Sequence, residues 1–299
     1  MMLEGFQRKQ LQVNGVSINL RHGGSGPPLL LLHGFPQTHV IWHKVADALA
    51  RQFTLVMPDL RGYGDSSMPP GAPDHSNYSK RMMAQDMVEV MHTLGFPSFY
   101  LCGHDRGGRV AHRVALDHPS AVRKLMILDI SPTRTMYEAT DKAFATAYYH
   151  WFFMIQPAPL PETLMGNSAS FLLDTLLGGW GSEGEKFIDP AALDEYRRCF
   201  CRAEAIHAAC EDYRAAAGID LEHDRDHDTN KIACPVHVLW GERGVIGQLF
   251  NPLEDWKAKC AQVVTGKSLP CGHFIAEQVP DLLLQEMLAF FGRHDAAPA

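Results

Sequence analysis

Nowhere does the sequence stay apolar over the ~20 residues that a bilayer-spanning helix needs, so no helical membrane span is expected. The opening stretch, "MMLEGFQRKQLQVNG", has no apolar h-region of the kind a secretory leader carries, and the expectation is a cytoplasmic chain. Basic charge is in short supply. Lys and Arg number 27 against 34 Asp and Glu, a formal net charge of −7 and a pI near 6.1. That balance counts against a nucleic-acid binder, which would show a basic patch or stripe. It leaves a small anionic substrate open, because local charge in a pocket can oppose the net charge. No C-x-x-C pair occurs among the 7 cysteines, and their number is odd, so reduced thiols are expected rather than a disulfide framework. Internal repeats are absent too. Of the 16 histidines only "HDRDHD" (223–228) forms a dense cluster, and no second ligand motif accompanies it. It reads as a solvated loop; no metal and no cofactor is expected.

What is present suits a sizeable core: 46% of residues are hydrophobic and 20% charged. "FQRKQLQV" and "VSINLRH" flank Asn14-Gly15, a hairpin signal. "PPLLLLHG" and "FTLVMPDL" are continuous apolar runs, as strands buried on both faces would be. "VIWHKVADALAR" and "RMMAQDMVEVMHTLG" have helical spacing, the second stopped by Gly95. Strand "SFYLCGHD", helix "RGGRVAHRVALDHP" and strand "VRKLMILDI" follow. The alternation predicts an α/β fold: a mainly parallel sheet with helices on both faces. It stops near Pro132, where a helical, aromatic and irregular stretch begins. It resumes with "CPVHVLWGE" and "AQVVTGKSL" and ends with "PDLLLQEMLAFFGR". The predicted organisation is a core in two parts, 1–131 and 231–299, with an inserted helical cap at 132–230 over the carboxyl ends of the strands.

Gly103, Asp105 and Gly107 sit between a strand and a helix, the context of a nucleophile elbow. An ordinary helix N-cap is the plain alternative for Asp105. Two further residues favour the elbow. His273 follows the last strand, in "LPCGHFIAEQVP", where the base stands in this chain order. Asp129 ends a strand and can orient it. A second position for that acid exists after the next strand, where W-G-x-x-D is common, but "WGERG" places Gly244 there. "HGFP" (33–36) follows the third strand, where one oxyanion-hole N–H is expected. Phe35 N–H and Arg106 N–H are the two predicted donors.

A carboxylate in the elbow suits displacement at a saturated carbon, giving an alkyl–enzyme ester. Water activated by His273 would then attack that ester's carbonyl carbon. Arg106 and Arg109, three apart on one helix, share a face, and guanidinium forks match a substrate carboxylate. The alternative is that they merely pair with Asp105 or with surface acids.

"GHDRGGRVAHRVALDHP", "YYHWFF" and "WGERGVIG" resemble the α/β-hydrolases with an aspartate nucleophile, the branch of haloalkane dehalogenases and epoxide hydrolases. The chain is most similar to its fluoroacetate dehalogenases, and the likeness spans nearly all of it. The resemblance implies hydrolysis of haloacetates, fluoroacetate to glycolate and fluoride, by a homodimer. It also implies halide-binding donors at His150, Trp151 and Tyr213, whereas Tyr148 and Tyr149 are read as packing residues. An epoxide hydrolase is the rival within the fold, with those tyrosines recruited to protonate the oxirane. It usually carries Trp where this chain has Arg106. A non-catalytic receptor is the rival from another class.

Overall fold

A computed structural model describes residues 2–182 and 186–292; Arg293, which closes the last predicted helix, lies outside them. Eight strands form one sheet: β1 Gln7–Val13, β2 Val16–Gly24, β3 Pro28–Leu32, β4 Thr54–Pro58, β5 Phe99–His104, β6 Val122–Leu128, β7 Val236–Gly241 and β8 Val264–Leu269. Their spatial order is β1-β2-β4-β3-β5-β6-β7-β8. β1 and β2 are antiparallel to their neighbours, and β3 to β8 pair in parallel. The β1–β2 hairpin turns on Asn14 and Gly15 with φ of +46° and +76°, the left-handed pair that an Asn-Gly turn supplies.

The apolar runs are buried on both faces because a strand's side chains alternate. Leu29 and Leu31 of β3 join Leu55, Met57, Cys102, Met126 and Leu239 on one side of the sheet. Leu30 and Leu32 join Val56, Leu101, Ile127 and Val238 on the other. Helices cover both sides. Leu283 and Met287 of the helix Pro280–Phe291 close the first layer. Met83, Met87, Val110 and Val114 of the helices Lys80–Thr93 and Arg106–Asp117 close the second.

Between β6 and β7 the described residues hold eight helices and no strand, from Thr133 to Asp226. Two local expectations change. "VIWHKVADALAR" is not one helix but a tight turn, His39–Trp42, followed by the short helix Ala46–Leu49. Thr38 caps that turn, and both the backbone N–H and Nδ1 of His39 go to Asp59, so tertiary contacts override the helical spacing. Most of "HDRDHD" belongs to the helix Ile219–Asp226 rather than to a loop. Its first turn is anchored by buried Asp220, which accepts from the Lys80 N–H at 2.8 Å.

Candidate active site

β5 ends at His104 and a helix starts at Arg106, so Asp105 alone makes the reversal. Its φ of +48° and ψ of −117° lie outside the regions favoured by residues with a Cβ. Strain of this kind costs about 1–3 kcal/mol and persists only where the surroundings enforce it. Close packing enforces it here. A Cβ on Gly107 would come within 2.3 Å of the His33 carbonyl, and one on Gly103 within 2.5 Å of the Gly107 carbonyl. The Asp105 side chain makes no capping bond to its helix, so the N-cap alternative falls. Oδ1 instead accepts from the Phe35 N–H at 2.9 Å. Oδ2 faces His273 Nε2 at 3.9 Å, beyond hydrogen-bond reach. Burial favours the neutral acid, but His273, His104, Arg109 and Arg106 outweigh it and hold the carboxyl below its usual range. The Arg106 N–H, first in its helix, belongs to the turn whose donors have no intrahelical partner.

His273 Nδ1 lies 2.6 Å from Asp129 Oδ2, and Asp129 Oδ1 accepts from the Gly241 N–H at 2.8 Å. Burial pushes the imidazole down; the bond to Asp129 and the charges of Asp129 and Asp105 outweigh it and raise its pKa. The two sequence positions for the orienting acid converge in space. A Cβ on Gly244 would sit 3.5 Å from both carboxylate oxygens of Asp129. An acid there would meet a like charge, so one location excludes the other.

The two arginines are buried but not equivalent, and Arg106 pairs with a buried acid, Asp212, rather than with Asp105 or a surface acid. Arg106 donates from Nε and Nη2 to Asp212, at 2.9 and 2.8 Å, and only Nη1 is left without a partner. Arg109 Nη1 reaches the Ser131 carbonyl at 3.2 Å and the Thr133 hydroxyl at 2.9 Å. Its Nε has no partner, and among the described residues no carboxylate forms an ion pair with it. Burial and the neighbouring Arg106 both lower the Arg109 pKa, the mark of a cation short of counter-charge.

His150, Trp151 and Tyr213 come together beside the two arginines. The rings of His150 and Tyr213 are 5.6 Å apart, and those of Trp151 and Tyr213 6.3 Å. Phe35 links them to the elbow, 5.9 Å from His150 and 5.3 Å from Tyr213. The Arg106 guanidinium lies 4.2 Å over Tyr213, and that of Arg109 4.7 Å over Trp151. His150 Nδ1 and Trp151 Nε1 are buried without a partner. Burial pushes the His150 imidazole down to about 3, so it is neutral. Tyr148 does pack, against Phe144, His150, Trp151 and Trp180. Tyr149 packs less closely: it is 44% exposed, with only an edge-on contact to the His150 ring at 6.0 Å.

Three side chains escaped sequence reasoning. Trp180 lies against His150 at 4.8 Å and His273 at 5.2 Å, and its carbonyl accepts from the His273 N–H. Its signal was a tryptophan between glycines in "LLGGWG", held here at φ +54°. Asp212 and Lys80 are charged residues at buried positions of helices, and only the partners they meet explain them. Among the described residues Glu162, His207 and Glu211 form the one group with metal-ligand character. Arg214 Nη1 donates to both carboxylates at 2.7 Å, so a cation already sits between them.

A family model for the alpha/beta hydrolase fold matches residues 27–280. Fluoroacetate dehalogenase of Burkholderia sp. is 48% identical over 291 residues, 96% of this chain and 95% of its own length. The soluble epoxide hydrolase of Corynebacterium sp. (strain C12) is 32% identical over 94% of this chain and 96% of its own. A solved structure from Nostoc sp. PCC 7120 superposes with a TM-score of 0.96 at 55% identity, covering 98% of this chain and all of that one. A strained elbow, an Asp–His pair at the carboxyl ends of a parallel sheet and these likenesses lead to one conclusion: the chain belongs to the alpha/beta hydrolase fold family.

Proposed function

We propose that this enzyme hydrolyses haloacetates, fluoroacetate to glycolate and fluoride, through an ester on Asp105. One observation carries the reading. Four buried polar atoms without partners, Arg106 Nη1, Arg109 Nε, His150 Nδ1 and Trp151 Nε1, belong to side chains that cluster beside Asp105, with the guanidinium groups against the rings of Tyr213 and Trp151 and the His150 ring stacked on Phe35. Buried polar groups are normally satisfied, and leaving one bare costs about 1–3 kcal/mol. A haloacetate satisfies both kinds: its carboxylate takes the guanidinium atoms, and its halogen takes the ring donors with Tyr213. The dehalogenase relative supports the same reading.

The carboxylate clamp would set the substrate's α-carbon against Asp105 Oδ2. That oxygen attacks the carbon and the carbon–halogen bond breaks, its electron pair leaving with the halide. Fluoride is small, basic and strongly hydrated, so it needs donors when it leaves water. Water then attacks the Asp105 carboxyl carbon and gives its proton to His273 Nε2. Charge develops on Oδ1, which the Phe35 N–H already holds and which the Arg106 N–H joins. Collapse breaks the bond to the former Oδ2, which takes the proton back from His273 Nε2 and leaves as the hydroxyl of glycolate. The reading includes residues 132–230 as the cap over the two core parts, 1–131 and 231–299. It also includes a cytoplasmic homodimer, of which the dimer rests on the resemblance alone.

An epoxide hydrolase has one point in favour: Tyr148 and Tyr213 are both buried, and both stay protonated. A neutral epoxide, however, would leave the Arg109 charge uncompensated. Purified protein given fluoroacetate separates the readings. Fluoride and glycolate are expected in equal amounts. No fluoride, with chloroacetate also inert, sinks the dehalogenase reading; diol from an epoxide would install the rival, and binding without turnover a receptor.

The indole has its own signature. Trp151→Phe keeps a large ring under Arg109 and removes the Nε1 donor. It should lower kcat on fluoroacetate about tenfold more than on chloroacetate, because the stronger acceptor loses more with a charged hydrogen bond. Equal losses on both would mean that Trp151 only packs.

A further inference from the structure

We propose that Asp212 is a positioning residue that ties the carboxylate clamp to the leaving-group pocket, an assignment that rests on the dehalogenase reading above. Asp212 lies on the helix Ala203–Ala217, between β6 and β7, and is fully buried. Both of its oxygens are saturated by groups from the sheet side of the molecule. Oδ2 accepts from Arg106 Nε at 2.9 Å and from the Tyr63 hydroxyl at 2.6 Å. Oδ1 accepts from Arg106 Nη2 at 2.8 Å and from Lys80 Nζ. Its carbonyl takes a further bond from Arg106 Nη2 at 2.9 Å. Lys80 in turn lies 3.9 Å from Asp220.

Two consequences follow for the site. First, Asp212 uses one whole edge of the Arg106 guanidinium and neutralises its charge. Arg106 can therefore turn only Nη1 toward a substrate, in one fixed direction. Arg109 remains the cation with no carboxylate bonded to it, so the site is matched to a single substrate carboxylate. Second, the next residue is Tyr213. The same turn of helix that grips Arg106 lays the Tyr213 ring 4.2 Å under that guanidinium and 5.6 Å from His150. Clamp and halide pocket are thus spaced by one dipeptide. A substrate whose carboxylate and halogen are separated by a single carbon needs that spacing held.

A residue that only supports the fold would change the amount of active enzyme, and so lower activity on all haloacetates alike. A residue that places Tyr213 would hurt the poor leaving group most. The test compares Asp212→Asn and Tyr63→Phe with wild type on fluoroacetate and bromoacetate, with active sites counted by the first-turnover halide burst. Asp212→Asn should raise KM for both substrates and lower kcat on fluoroacetate about tenfold more than on bromoacetate. Tyr63→Phe removes one bond and keeps the carboxylate, so it should shift the ratio the same way by about two- to threefold. It stands as the test should Asp212→Asn fail to fold. An unchanged fluoroacetate-to-bromoacetate ratio in the folded variants overturns the assignment and leaves Asp212 a support of the fold. Wild-type protein inert on both haloacetates overturns the reading beneath it instead.

Discussion

His273→Asn should release about one halide per active site and then stop. The proposed displacement step would ask nothing of the imidazole. His273 Nε2 lies 3.9 Å from Asp105 Oδ2, and Asp105 keeps two arginines to hold it ionised when the histidine is gone. The second step does need a base, since bulk water attacks a carboxylic ester slowly at neutral pH. Steady turnover should therefore fall by about 10⁴- to 10⁶-fold, the range seen when one member of a catalytic unit is removed. The intact protein should gain the mass of a carboxymethyl group, and peptide mapping should place it on Asp105. No burst and no adduct in a folded variant would mean that the imidazole takes part in the first step.

Arg109→Leu should raise KM for haloacetates steeply while leaving the fold intact. A desolvated charge pair with the substrate is lost, which costs about 2–5 kcal/mol, or roughly 30- to 4,000-fold in kcat/KM. Arg109 suits this test better than Arg106. Removing Arg106 would take three hydrogen bonds from buried Asp212 and leave it only Lys80 and Tyr63, so a fault in the fold would be mixed with the loss of the clamp. Removing Arg109 strands no carboxylate partner, because its hydrogen bonds go to Ser131, Thr133 and Met136. It also deletes a buried cation short of counter-charge. The melting temperature should then hold or rise while KM climbs. Unchanged KM, or a melting temperature that falls with activity on every substrate alike, would make Arg109 a residue of the fold.

Local chemistry explains what was legible in the sequence. The Asn-Gly turn, the apolar strand runs and the G-x-D-x-G spacing each act through neighbours in the chain, so each can be read without knowing the rest. The choice of Asp129 over a site near Gly244 also stood in the sequence, since only one of the two positions carries an acid. What stayed hidden depends on distant partners. Nothing within a few residues of Arg106 announces Asp212, 106 positions away, as its counter-charge. Helical spacing at 40–51 is cancelled by the His39 bonds to Asp59. Tyr148 and Tyr149 are adjacent in sequence, yet Tyr148 turns between two short helices at φ −109° and ψ 40° while Tyr149 begins the second, so one is buried and the other exposed.

The ester on Asp105 is the centre of the account, and one turnover in heavy-oxygen water tests it most directly. With enzyme in excess over fluoroacetate, the proposed route would have water attack the Asp105 carboxyl carbon and the old aspartate oxygen depart in the product. Mass spectrometry should find the label in the Asp105 peptide and none in the first glycolate. Label in that glycolate, with Asp105 unlabelled, would show water attacking the substrate carbon itself. The elbow would then hold a general base, and the ester would not exist.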